Sequence, residues 1–196
     1  MNQVAFIRHG PTAWNREGRL TGRADIPLSK EGRRLVACYR LPAALSDATW
    51  HTSPLKRARE TAALLGHANA RVEPRLIEMD FGAYEGRTLE ELRAELGEEM
   101  RANEARGLDF QPPGGESPRM LQQRLRPFLA ELGRAGGRHV AVAHKSVIRA
   151  VFAAAYDWPM TGRPPLRLRW DCAHLFGVAR DGAIRPVMMN LTLVEP

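Results

Sequence analysis

Residues 4–15 read Val-Ala-Phe-Ile-Arg-His-Gly-Pro-Thr-Ala-Trp-Asn. The apolar run 4–7 predicts a buried strand. A strand that ends in Arg8-His9-Gly10 delivers a cation and an imidazole to the carboxyl edge of a sheet. That edge is where open α/β sheets bind ligands. Gly10 permits a tight turn with close backbone approach, and Thr12 and Asn15 add uncharged donors. The stretch suits an anion held against a histidine.

The rest of the chain alternates strand and helix patterns. Ser29 caps a helix expected from Lys30 to about Tyr39. Residues 48–52 predict a strand, and Ser53-Pro54 a helix start with proline in its first turn. That helix runs to about Leu65, with Gly66 at its end. A short strand is expected at 71–73. Thr88-x-x-Glu91 is a capping box for a helix over 89–96, and a second helix follows over 98–106. Ser117-Pro118 opens a helix to about Leu132, with a kink expected near Pro127. Residues 140–143 predict a buried strand that exits at His144-Lys145-Ser146, ahead of an apolar helix over 147–156. Two late strands, 173–179 and 184–189, are joined at Asp181-Gly182. The pattern predicts an α/β three-layer sandwich: a mostly parallel central sheet with at least one antiparallel strand. Residues 74–116 break the alternation and are expected to form a helical lid over the sheet's carboxyl edge. One domain spanning 1–196 accommodates all of this.

The chain has 196 residues, 44% of them hydrophobic, enough for one full-sized core. No run approaches the roughly 20 apolar residues of a membrane span. No basic region and apolar signal segment precede the first strand, so a cytoplasmic protein is expected. Cys38 and Cys172 lie far apart, which argues against a disulfide framework or zinc site; both are expected to be buried small apolar residues. The net charge is +7, carried mainly by arginines spread along the chain. The densest stretch, 163–169, lacks the aromatic ladder of single-strand binders. No nucleic-acid, membrane or metal partner is therefore expected, and solvated helix faces account for most of the charge.

Residues 8–15 resemble the Arg-His-Gly-x-Thr-x-x-Asn signature of the histidine phosphatase superfamily, the phosphoglycerate mutase-like proteins. Further segments match in order. Residues 53–62, Ser-Pro-Leu-Lys-Arg-Ala-Arg-Glu-Thr-Ala, are similar to the family's Ser-Pro-Leu-x-Arg-Ala-x-x-Thr-Ala. This implies that Arg57 is a second phosphate-binding arginine at a helix N-terminus, which itself favours anions. Residues 76–86 resemble Leu-x-Glu-x-x-Phe-Gly-x-x-Glu-Gly and put Glu78 in the catalytic acid's position. From the residues alone Asp80 and Glu85 rival it; both are expected to hold the loop instead. Gly114-Gly115-Glu116-Ser117 matches a segment of the smaller phosphatases, and Thr21-Gly22 falls where relatives line the substrate site with Ser/Thr-Gly. His144, after an apolar strand, is read as the second catalytic histidine. Lys145 replaces the family's usual glycine, where it either reaches a second acidic group on the substrate or points to solvent.

The residue types suit phosphate chemistry. A phosphomonoester carries close to two charges near pH 7. Arg8 and Arg57 supply forked cations, and a protonated His144 would supply a third. Like-charge repulsion would keep His9 neutral, with its other nitrogen fixed by a carbonyl. The resemblance implies a phosphohistidine at His9, with Glu78 protonating the leaving oxygen and then activating water. Gly10, Thr12, Asn15, Thr21, Gly22 and Lys145 are the expected substrate contacts; no cofactor is called for.

The expected function is metal-independent hydrolysis of a small phosphorylated metabolite, in the small phosphatase branch. Phosphoglycerate mutase-type transfer is the alternative. Mutases of the family carry an added tail, whereas this sequence stops at residues 193–196, close behind its last predicted strand. A non-catalytic phosphate binder and a basic nucleic-acid binder are further readings, set below the enzyme. Some relatives are dimers, which leaves a homodimer open.

Overall fold

The computed structural model describes residues 2–193. Residues 194–196, part of the ending on which the tail reading turns, lie outside them. Among the described residues, six strands form one sheet: β1 (Gln3–Arg8), β2 (Thr49–Thr52), β3 (Arg71–Val72), β4 (Arg138–Ala143), β5 (Cys172–Val178) and β6 (Ile184–Thr192). Their order is β3-β2-β4-β1-β5-β6. The first four run parallel, and β5 and β6 are antiparallel to their neighbours. The helices described around it are α1 (Ala13–Arg16), α2 (Lys30–Ala37), α3 (Lys56–Leu64), α4 (Leu89–Leu96), α5 (Glu98–Glu104), α6 (Pro118–Ala135) and α7 (Lys145–Ala155).

Strand alternation builds the layers. Val4, Phe6, Ala141 and Ala143 pack on one face against Leu125 and Phe128 of α6 and Val147 and Val151 of α7. Ala5, Ile7, Val140 and Val142 pack on the other against Val36 of α2 and Ala58 and Ala62 of α3. Successive side chains point to opposite faces, and a parallel sheet covered on both sides needs both apolar. The three-layer expectation therefore holds. Between β3 and α6, α4 and α5 carry a small cluster of their own, Tyr84, Leu92 and Met100, with Leu20 packed against it from the loop after β1. Among the described residues, no helix is long and apolar enough to cross a membrane.

Several local expectations shift. The helix expected from Ser53-Pro54 begins at Lys56, with no side-chain cap. Ser53 instead directly follows β2, its hydroxyl bonded to His144. The helix after β4 starts at Lys145, earlier than expected, and β6 extends to Thr192. α6 continues through Pro127 as one element. Cys38 is exposed, not buried, because it sits on the C-cap of α2, past that helix's packed stripe; Cys172 is buried on β5.

Gly32 of α2 packs tightly against the loop after β1. A Cβ there would lie 2.0 Å from the Pro11 carbonyl oxygen. Gly32→Ala should cost about 1–3 kcal/mol by overpacking, lowering Tm by several degrees in a thermal melt. An unchanged Tm would mean that α2 and the loop move apart freely.

Candidate active site

β1 and β4 pair so that Arg8 lies opposite Ala143, and the His9 amide donates to the Ala143 carbonyl at 2.9 Å. The next residues, His9 and His144, therefore leave the sheet side by side, with ring centroids 5.1 Å apart. His9 Nδ1 lies 2.7 Å from the Gly10 carbonyl, which can only accept. Nδ1 thus carries the proton and Nε2 the free lone pair. Burial, then the charges of Arg8 and Arg57, push the His9 pKa well below its usual value. The direction matches expectation, but burial leads over like-charge repulsion.

His144 is fully buried. Arg57 Nε donates to its Nδ1 at 3.3 Å, so the ring proton sits on Nε2 and points to Ser53 Oγ at 2.7 Å. Burial, then His9 and Arg57, hold its pKa well below the usual value. The third cation considered from sequence required a protonated His144, a state that burial and the neighbouring cations disfavour. A proton on Nδ1 would face the N–H of Arg57, so His144 is neutral here.

Arg57 is also fully buried. It donates to the Gly22 and Ala24 carbonyls at 2.7 Å each, which fixes the loop over the site. The N-terminus of α3 is not open to an anion as expected: Asp25 accepts from the Lys56 amide at 2.7 Å. Arg8 differs. Its guanidinium lies 5.2 Å from the Trp170 ring centroid, and its buried Nε has no hydrogen-bond partner among the described residues. A cavity of about 320 Å³ opens beside Arg8 and His9, lined also by Asn15, Tyr39 and Trp170. A larger one, about 510 Å³ between α6, α7 and the β5–β6 turn, holds none of these residues. The clustered chemistry, not volume, locates the site.

Glu78 separates from its rivals. It is buried, and its carboxylate accepts from the amides of Met79 (2.9 Å) and Ser146 (3.3 Å). Burial raises its pKa against those bonds and the charges of Arg57 and Arg8. Asp80 accepts from Gly82 and pairs with Arg23; Glu85 accepts from the Arg23 amide at 2.6 Å. Both hold the loop, as expected. Glu116 binds Arg124 through two 2.9 Å contacts, and Arg124 reaches the Arg75 and Ile77 carbonyls just before Glu78.

The expected substrate contacts divide. Gly10 donates to Thr61 Oγ1 at 3.0 Å, and Thr12 is wholly buried in a reciprocal capping box with Asn15. Gly10 and Thr12 are thus spent internally, while Asn15 still lines the cavity. Thr21 Oγ1 is buried without a partner among the described residues. Gly22 has φ +50°, and a Cβ there would meet Glu85 at 1.8 Å. Lys145 Nζ lies 5.9 Å from the Trp170 ring centroid. Sequence reading missed Trp170, Ser53 and Arg124. Trp170 precedes β5, and only the antiparallel register of β5 on β1 brings it to Arg8.

A family model described as histidine phosphatase superfamily (branch 1) matches residues 4–187. The chain belongs to this superfamily. The chain is 34% identical over 163 residues to a 2,3-bisphosphoglycerate-dependent phosphoglycerate mutase 2 of Gloeobacter violaceus, covering 77% of this chain and 74% of that protein. Among solved structures it resembles a mycobacterial glucosyl-3-phosphoglycerate phosphatase in complex with VO3, with TM-score 0.80 and 26% identity, covering 98% of this chain and 100% of that one. It also resembles the protein TTHB049 of Thermus thermophilus, with TM-score 0.72 and 35% identity over 96% of this chain and 99% of that one.

The buried histidines of this superfamily member should make its stability fall in acid. Burial lowers His51 and His174 to about 4, and lowers His9 and His144 too. Below about pH 6.5 the unfolded chain protonates these groups while the folded one does not. Each removes up to about 1.4 kcal/mol per pH unit as pH falls. The urea midpoint should therefore drop steadily from pH 6.5 to 5. A flat midpoint across that window would contradict the neutral assignment.

Proposed function

We propose that the protein is a metal-independent phosphatase that hydrolyses small phosphomonoesters through a phosphohistidine at His9. The observation that carries this reading is Arg8: a half-buried cation whose Nε is buried without a partner among the described residues, beside a histidine whose Nε2 lone pair is free. A buried donor without a partner is costly, and a phosphate oxygen beside His9 relieves that cost.

The chemistry follows from the groups present. His9 Nε2 attacks phosphorus; the P–N bond forms as the P–O bond to the leaving group breaks. Glu78, its pKa raised by burial, gives its proton to the leaving oxygen. The resulting carboxylate takes a proton from water, whose oxygen attacks phosphorus and breaks the P–N bond. Arg8 meets the charge on the transferring oxygens directly. Arg57 adds its positive field and, through His144 and Ser53, fixes the wall of the site. Among the described residues, no group of three or more His, Cys, Asp or Glu side chains is placed to hold a metal ion. The substrate is expected to be a soluble metabolite and the protein cytoplasmic.

Phosphoryl transfer between hydroxyls is the second reading, favoured by the name of the Gloeobacter relative. Product analysis separates the two: free phosphate for hydrolysis, a rearranged phosphoester for a mutase.

Turnover of a phosphomonoester panel in EDTA should release phosphate, and His9→Ala should abolish it together with an acid-labile phosphoenzyme. Glu78→Gln should lower kcat/KM about a hundredfold or more for alkyl phosphates. The basic limb of the wild-type pH profile, set by ionisation of Glu78, should vanish in that variant. A phosphoenzyme that survives in His9→Ala would overturn the mechanism.

A further inference from the structure

Glu78 fixes the side on which a leaving group departs. Met79 and Ser146, whose amides hold its carboxylate, also line a cavity of about 270 Å³ between the 74–116 excursion and the head of α7. Glu78 itself does not line this space, but the two residues whose amides hold its carboxylate do, which sets the cavity beside the acid and offers room for the organic group of an oxygen protonated there. Its walls are apolar, with Leu20, Phe81, Leu89 and Phe110 among them. Its volume is at the low end for ligand pockets, which suits one ring better than a disaccharide.

Three charged residues line the same cavity: Glu104, Lys145 and Arg149. Glu104 is taken by Arg93, at 2.7 Å from its Nη2. Lys145 and Arg149 have no carboxylate partner in an ion pair among the described residues. They lie against ring faces, Lys145 near Trp170 and Arg149 5.5 Å from the centroid of Trp158. Burial lowers the pKa of both, and for Lys145 the charges of Arg8 and Arg149 add to it. A second anion in the cavity would relieve both.

We infer that this cavity is the leaving-group subsite. It takes a phosphomonoester with a ring-sized apolar body and a second anionic group, a carboxylate or phosphate, held by Lys145 and Arg149. The inference rests on the reading of Glu78 above, so its test uses binding rather than turnover. Calorimetry would compare benzylphosphonate, 4-carboxybenzylphosphonate, 1,4-xylylene bisphosphonate and a trihydroxylated alkyl phosphonate of similar length. Either doubly anionic ring should bind about tenfold more tightly than benzylphosphonate, the order of one charge-assisted hydrogen bond. The tighter of the two identifies carboxylate or phosphate as the group preferred. The preference should fall towards one in Lys145→Met with Arg149→Met and persist in Lys145→Arg. Equal affinities in the wild type, or a preference that survives the double substitution, overturns the charge assignment. A hydroxylated probe that binds as tightly as benzylphosphonate overturns the apolar one. Phenyl phosphate hydrolysis, followed in parallel, reports on His9 and Glu78 separately.

Discussion

Arg8 and Ala143 stand opposite each other in the parallel β1–β4 ladder, so the histidine after each leaves the sheet at the same level. The rest of the site hangs on that register. A slip of one residue would turn Phe6 towards the α2–α3 side and Ile7 towards the α6–α7 side, reversing both packed faces. The core thus enforces the pairing of His9 with His144 without either histidine contributing to it. Glu78 joins the same frame through Ser146, two residues past His144, so Glu78 and His9 are referenced to one pair of strands.

The site concentrates cations where water is excluded. Arg57 is wholly buried, and its bonds go to two carbonyls and a neutral imidazole. Burial disfavours the charged form of Arg8, Arg57, His9 and His144 alike. The nearby carboxylates do not cancel this. Asp80 and Glu85 are engaged by Arg23 and its amide, and Glu116 by Arg124. A carboxylate paired to Arg8 would stabilise the empty protein and compete with a phosphate. The arrangement instead leaves the buried Nε of Arg8 short of one partner among the described residues, a cost that an anionic ligand offsets on binding.

The elements that carry the site were legible in sequence because each is encoded locally. Residues 4–7 and 140–143 are apolar runs that lead to a histidine, the first by way of Arg8, and the Thr88–Glu91 box predicted α4 correctly. What failed was use of the same groups over long range. Ser53 looks like a helix start, but its hydroxyl is taken by His144, 91 residues away, so α3 begins later. Thr12 looks like a ligand donor and instead caps α1 by bonding Asn15, which itself still lines the cavity. His144 looks like a cation until Arg57 is found donating to it. Trp170 carries no local signal at all, since its place beside Arg8 depends on the pairing of β5 with β1.

Lys145 shows the same logic from the side of cost. It is the first residue of α7, and its φ is not among the positive values found at non-glycine residues, so the backbone there does not require glycine. A lysine at that place is nonetheless unfavourable. It puts a positive charge at the positive end of a helix with no acidic residue in its first turn. It also stands four residues before Arg149, a like-charge spacing that destabilises helices. Neither cation recovers this through an ion pair among the described residues. Two cations on one helix face, held by ring contacts but by no carboxylate ion pair among the described residues and both lining a cavity beside the amides that hold Glu78, make structural sense when an anion from outside the chain completes them.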